Sequence, residues 1–337
     1  MKKVLSIFYF CLTLLGTAIL FELILHFGGI MTPILTIDPN KGERYMPNKM
    51  CCSIFNYEGF GLAKTNSAGW FGNDPNRWDS SATSLAILGN SFIPARQVFY
   101  RHNFLAITEE LFQNNNKNVR FYNFGKESMP LRESLYIKEE VDAAYHPDYF
   151  IVFINERSLG NEGRYIPYYE LAGDSLKLND SFKYSSFVKK YQKISLLNQS
   201  SLLFLIYRVK NNLSDFWKIV LDKFYPNYDE NIEEGVVNRP VDRVDEAIIK
   251  KFDQDRRVIF LFDLDSSKAQ MVQSYISNSP VINVHPALMK MHKETGVDPY
   301  YWPITNQKGH WNYEAHRVIA REFSNEINSV IFTTSKK

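Results

Sequence analysis

The stretch Ser84-Leu85-Ala86-Ile87-Leu88-Gly89-Asn90-Ser91-Phe92 decides the reading of this chain. An apolar run of strand length ends in glycine, asparagine and serine. A strand buried on both faces of a parallel sheet reads as such a short, near-continuous apolar run. A serine just past its carboxyl end stands where open α/β sheets hold their ligands. Far downstream, Gly309-His310-Trp311-Asn312 precedes the last helical pattern. A serine after the first strand and a histidine before the last helix pair a nucleophile with a base.

The first strand candidate is 84–88. Four more follow it at 119–124, 149–154, 258–262 and 281–284, each short, apolar and rich in β-branched or aromatic residues. Helical spacing of apolar residues fills 104–112 and 131–145, and His146-Pro147-Asp148 stops the second of these. A final helix starts near Asn312 and closes at Phe323. The alternation predicts an α/β fold with a central parallel sheet of about five strands. The interval 156–250 breaks the rhythm and reads as a helical insertion, with helices at 187–197, 200–207 and 216–224, followed by a solvated charged loop at 229–245. These helices either cap the site or lie near a membrane surface; the apolar run 202–207 is too short to span one.

The N-terminus sets the compartment. Lys2 and Lys3 precede about 22 apolar residues broken by one charge, Glu22. That length spans a hydrocarbon core of ~30 Å as a helix. A signal-peptide core is ~7–15 residues and ends at a small-residue cleavage site, which is not evident here. Residues 1–31 therefore read as an uncleaved signal anchor, with the lysines cytoplasmic and the remainder exported, periplasmic or extracellular. Residues 32–83, punctuated by Pro33, Pro39, Pro47 and Pro75, read as an irregular lead-in, and 84–330 as the main domain. A net charge of +2 supplies no field for nucleic acid. Three cysteines, two of them adjacent, define no disulfide, and no Cys/His spacing suggests zinc. No metal or other cofactor is called for.

At this point the chain resembles the SGNH (GDSL-like) hydrolases over about residues 66–325. Gly89-Asn90-Ser91 fits the family's first block, with Asn90 in place of the usual aspartate. Asn123-Phe124-Gly125 fits the second, Ile154-Asn155-Glu156 the third and Gly309-His310 the fourth. Asn66-Ser67-Ala68-Gly69-Trp70-Phe71-Gly72 looks like the lead-in of membrane-anchored members. The resemblance implies a flavodoxin-like three-layer sandwich. It also implies Ser91 as nucleophile, His310 as base, and an oxyanion hole from Ser91, Gly125 and Asn155. One position departs: the family's aspartate two or three residues before the histidine is replaced by Gln307 and Lys308. Three readings stay open. Asn306 or a backbone carbonyl orients His310; an acid such as Asp298 or Glu314 does; or catalysis is lost.

The implied activity is that of an exported serine esterase or O-acyltransferase working on acyl, foremost acetyl, esters of cell-surface glycan, with a membrane acyl-transfer partner if it transfers. Against it stand a catalytically inactive membrane-anchored binding or assembly module and a lipid-active esterase with a helical lid at 202–207.

Overall fold

The computed structural model describes residues 2–28, 34–54, 58–160, 165–182, 188–189, 200–211, 241–303 and 305–333. Helix α1 (Lys2–Phe27) is apolar and long enough to cross a membrane by length and composition, and only Leu25 on it is buried. The lead-in is not irregular. It forms two antiparallel hairpins, β1 (Leu35–Asp38) with β2 (Gly42–Tyr45) and β3 (Met50–Ile54) with β4 (Phe60–Lys64). Strands of four or five residues between prolines are too short to show periodicity, so the turn residues around them dominated the sequence reading. The motif from Asn66 makes a tight turn: Asn66 Oδ1 accepts from the Ala68 and Trp70 N–H groups, and Gly69 takes a φ of 81° that a side chain would resist.

The core sheet consists of β5 (Thr83–Leu88), β6 (Val119–Asn123), β7 (Tyr149–Asn155), β10 (Val258–Asp263) and β11 (Val281–Asn283), all parallel, in the order β11-β10-β7-β5-β6. All five anticipated strands form, and the order is the flavodoxin-like one. The helices are α2 (Phe104–Asn114), α3 (Leu131–Tyr145), α4 (Ser201–Asn211), α5 (Arg243–Asp253), α6 (Ser266–Gln273), α7 (His285–Thr295) and α8 (Tyr313–Asn328). Alternation along the strands divides the core in two. Leu85, Ile87, Phe121, Ile151, Phe153, Ile259 and Leu261 pack with α2, α7 and α8. Ala86, Leu88, Phe150, Val152, Phe260 and Phe262 pack with α3, α5 and α6. Helices on both faces make the three layers, and a parallel sheet covered on both sides has the apolar strands seen here. Helix α3 stops where anticipated, with His146 at φ 48° as its C-cap and proline next. Asp148 then accepts from the N–H and hydroxyl of Ser84, fixing the start of β5 against β7.

The insertion differs from its reading. It contains a hairpin, β8 (Tyr168–Ala172) with β9 (Ser175–Asn179), on α3. The helix expected at 200–207 forms as α4. Of the helix expected at 187–197, only residues 188–189 are described, and they are helical; the one expected at 216–224 lies outside the described residues. The expected charged loop at 229–245 ends instead in α5, capped by Asp242, with Asp245 fully buried and accepting from the Gly160 N–H at 2.5 Å.

His316 sits inside α8 with 0% exposure, and its Nδ1 accepts the N–H of Phe104 at the start of α2 at 3.2 Å. Burial, with His310 nearby, holds its pKa down at about 3. The unfolded chain binds that proton near pH 6.5 and the folded one does not, so stability falls as pH drops from 6.5 toward 3. Equilibrium urea unfolding should show about 2 kcal/mol of acid destabilisation from this residue between about pH 7 and pH 5. His316→Asn, whose Oδ1 can accept the same N–H, should remove that component of the pH slope.

Candidate active site

Ser91 follows β5 and Asn155 ends β7. These strands are neighbours, and the chain runs to opposite sides of the sheet from them. This is the switch point at which the carboxyl edge of a parallel sheet opens a crevice. The turn after Ser91 is closed by Ile93 N–H to Asn90 O and Ala95 N–H to Ser91 O. Ser91 remains partly exposed, while His310, delivered by the loop before α8, is only 1% exposed. Ser91 Oγ lies 2.6 Å from His310 Nε2. The Phe92 ring lies 4.5 Å from the imidazole, and Trp302 Nε1 donates to His310 O. The ring is thus held by packing on one side and by its own backbone on the other.

The partner of His310 Nδ1 is Glu58, a residue the sequence reading did not select. Its two carboxylate oxygens lie 2.9 and 2.8 Å from Nδ1, and one of them also accepts the His310 N–H at 2.9 Å. Glu58 is 5% exposed. A carboxylate only accepts, so Nδ1 carries the proton and Nε2 is left to take one from Ser91. The three orienting groups named from the sequence are engaged elsewhere. Asp298 pairs with Lys308 at 3.0 Å and accepts the Tyr300 N–H. Glu314 pairs with Arg317 on the exposed side of α8. Asn306 accepts from the Tyr301 hydroxyl. Gln307 and Lys308 form an exposed two-residue strand, β13 (Gln307–Lys308), paired with β12 (Tyr301–Trp302).

Missing side chains bring Glu58 into place. It stands at the tip of the β3–β4 hairpin. A Cβ on Gly59 would lie 2.2 Å from Gln97 O, and one on Gly61 would lie 2.1 Å from Arg96 O. The hairpin therefore presses against the backbone that follows Ser91. A Cβ on Gly309 would lie 2.1 Å from a Glu58 carboxylate oxygen. Glu127 braces the same region by bonding Arg96 at 2.5 Å and the Tyr45 hydroxyl. The usable signal in the sequence is that Glu58 is the only acidic residue between positions 44 and 73, and it stands in Glu58-Gly59-Phe60-Gly61. Nothing in the spacing links it to a histidine 252 positions away.

The donors expected to face an oxyanion divide. Asn155 Oδ1 accepts from the Asn90 amide at 2.8 Å, the Ser158 hydroxyl at 3.0 Å and the Ser158 N–H at 3.2 Å. With the oxygen so occupied, the Asn155 Nδ2 group is the end left to donate. Asn90 Oδ1 accepts the Phe92 N–H, which fixes that amide the same way round. An aspartate at position 90 would have no hydrogen to give Asn155 Oδ1. Gly125 is a correction. Its N–H is donated to Asn123 Oδ1 at 2.9 Å. A Cβ there would lie 2.6 Å from Ile93 Cβ, so this glycine makes room for the turn after Ser91.

His285, at the start of α7, bonds elsewhere on the carboxyl edge of the sheet. Its Nδ1 lies 3.0 Å from Asp263, a bond that raises its pKa. Asp263 also accepts from the Tyr300 hydroxyl and from Trp311 Nε1 at 2.8 Å. This second cluster anchors the residue that follows His310.

No protein-family model and no curated protein sequence matches the chain. Among solved structures it is similar to a lipolytic G-D-S-L family member from Veillonella parvula, at 11% identity and a TM-score of 0.36, covering 75% of this chain and 99% of that one. It is similar to a psychrotrophic esterase from Pseudoalteromonas sp., at 10% identity and a TM-score of 0.37, covering 74% and 98%. A catalytic mutant of an acetylxylan esterase from Geobacillus stearothermophilus matches at 13% identity and a TM-score of 0.38, covering 73% and 94%. The likeness is one of fold.

Glu58→Gln keeps size but turns an N–H toward Nδ1, favouring the tautomer in which Nε2 is protonated. Turnover of a model acetyl ester should fall by about 10⁴-fold. Asp298→Asn and Glu314→Gln should stay within about twofold of the parent, since neither carboxylate meets His310. Comparable losses in Asp298→Asn would move the orienting role away from Glu58.

Proposed function

We propose that this chain is a serine-dependent carboxyl-ester hydrolase or O-acyltransferase. The observation that carries the reading is the buried line of contacts from Glu58 through His310 to Ser91 Oγ. Ser91 Oγ attacks the ester carbonyl as its proton passes to His310 Nε2. Glu58 holds the imidazolium that forms. The oxyanion is met by the Ser91 N–H and the Asn155 Nδ2 group. Collapse breaks the C–O bond, the leaving alcohol takes the proton from His310, and acyl-Ser91 remains. Water or a sugar hydroxyl then attacks, giving its proton to His310, and as the bond between the acyl carbon and Ser91 Oγ breaks that proton returns to Oγ, restoring the hydroxyl and the neutral imidazole. The acceptor alone separates hydrolysis from transfer.

The sequence blocks support acetyl esters of glycan as the substrate class. Helix α1, with two lysines at its start, supports an anchored protein whose main domain is exported. The binding-module reading rested on a missing carboxylate, on Asn90 and on the long insertion; the contact of Glu58 with His310 weakens the first of these.

A fluorophosphonate probe should label the intact protein, and Ser91→Ala should abolish labelling and reduce acetyl-ester turnover by at least ~10³-fold. A parent protein that never labels between mildly acidic and alkaline pH would overturn the enzyme reading. Asn155→Ala should lower kcat by about 10²–10³-fold with little change in KM, because an oxyanion donor acts chiefly in the transition state. An unchanged kcat would remove Asn155 from the oxyanion hole.

A further inference from the structure

Helix α1 carries one acidic residue, Glu22, in an otherwise apolar run. At 1.5 Å per residue it lies about 30 Å along the helix from Lys2, which is the thickness of a hydrocarbon core. With the lysines at one face of the bilayer, Glu22 stands at the other. A carboxylate at such a boundary is costly unless its oxygens are satisfied. They are: Glu22 accepts from the Ser200 hydroxyl at 2.7 Å, the Ser201 N–H at 2.9 Å and the Leu202 N–H at 2.9 Å. The last two are free N–H groups at the start of α4. A negative charge there also complements the helix dipole. The anchor thus caps a helix of the inserted segment, from some 180 positions away.

Helix α4 is built to lie between two partners. Phe204, 3% exposed, packs with Val188 in a small cluster joined by Tyr207 and by Leu35 and Ile37 of β1. Leu203 and Ile206, three residues apart and so on one face, are 39% and 55% exposed. Helix α4 itself packs against the anchor, whose Phe21, Leu23 and Ile24 are also exposed. Lys210 follows it at the exposed end of α4, suited to reach lipid headgroups.

We propose that α4 is an interfacial helix, seated in the leaflet opposite the lysines with Leu203 and Ile206 among lipid acyl chains, and held to the anchor by Glu22. The proposal rests on the reading of α1 as a membrane span. The occupant is lipid because α4 is packed on and capped by a span whose own apolar side chains, like Leu203 and Ile206, are exposed. Two contacts with the bilayer, joined by a carboxylate, fix the orientation of the domain where one helix would leave it free to swivel. Since α4 also grips β1, the lead-in that carries Glu58 starts from a set height above the membrane.

The test uses the full-length protein in vesicles of phosphatidylcholine and phosphatidylglycerol, with Cys11→Ser, Cys51→Ala and Cys52→Ser as background. Single cysteines from Leu14→Cys, Ile206→Cys and Val297→Cys carry an environment-sensitive fluorophore, and brominated lipids serve as quencher. Positions 14 and 206 should be quenched, and exposed position 297 should not. Adding Glu22→Ala should cut the quenching at 206 by about half or more while leaving 14 unchanged. Quenching at 14 but not at 206 overturns the interfacial helix and leaves the anchor standing. No quenching at 14 overturns the anchor reading and the proposal with it. Quenching at 206 that is indifferent to Glu22→Ala overturns the role given to Glu22.

Discussion

The contact between Glu58 and His310 is the constraint around which the candidate site is arranged. One carboxylate accepts both the backbone N–H and the ring Nδ1–H of the same residue. Both side chains are almost wholly buried. Breaking one partner of such a pair strands an uncompensated polar group, which typically costs ~3–5 kcal/mol. The lead-in hairpins therefore cannot be a loose tether. Residues 34–72 must fold against the sheet for the site to exist, and Gly59, Gly61 and Gly309 mark where backbone and carboxylate come too close for a Cβ.

The carboxyl edge of the sheet supplies the rest. Parallel strands end on the same side, and the chain leaves β5 and β7 toward opposite faces of the sheet, which opens a gap there. Ser91 and Asn155 border it. Asn155 uses the two ends of one amide for different purposes. Its oxygen caps the turn at Glu156–Ser158 and accepts from Asn90, which leaves the nitrogen as the end that can donate. Capping and donation do not compete, because rotating the amide would break three bonds at the oxygen.

The alternation of apolar strands and helical patterns told the fold class directly. A parallel sheet covered on both faces writes its strands as continuous apolar runs, and all five were legible. The places of Ser91, His310 and Asn155 in the fold were legible because they stand at strand ends or before a helix, positions that local pattern locates. The hairpins of the lead-in were not. Their strands are too short for period two to emerge, and prolines and glycines around them carry the stronger local signal. The hairpin of the insertion was missed for a related reason: Tyr168–Ala172 and Ser175–Asn179 are mixed in polarity and pair only with each other.

By itself, the sequence determined the layered α/β core, the apolar N-terminal helix and the placing of Ser91 and His310 at the edge of the sheet, all of which follow from local pattern over a few residues. The tertiary structure alone decided which carboxylate meets His310, that the Gly125 N–H is taken by Asn123, and that Glu22 caps a helix far along the chain. Those are contacts between groups from 2 to 252 positions apart whose partners are set by side-chain geometry and by how the hairpins and inserted helix lie on the core, and no local period records such a choice.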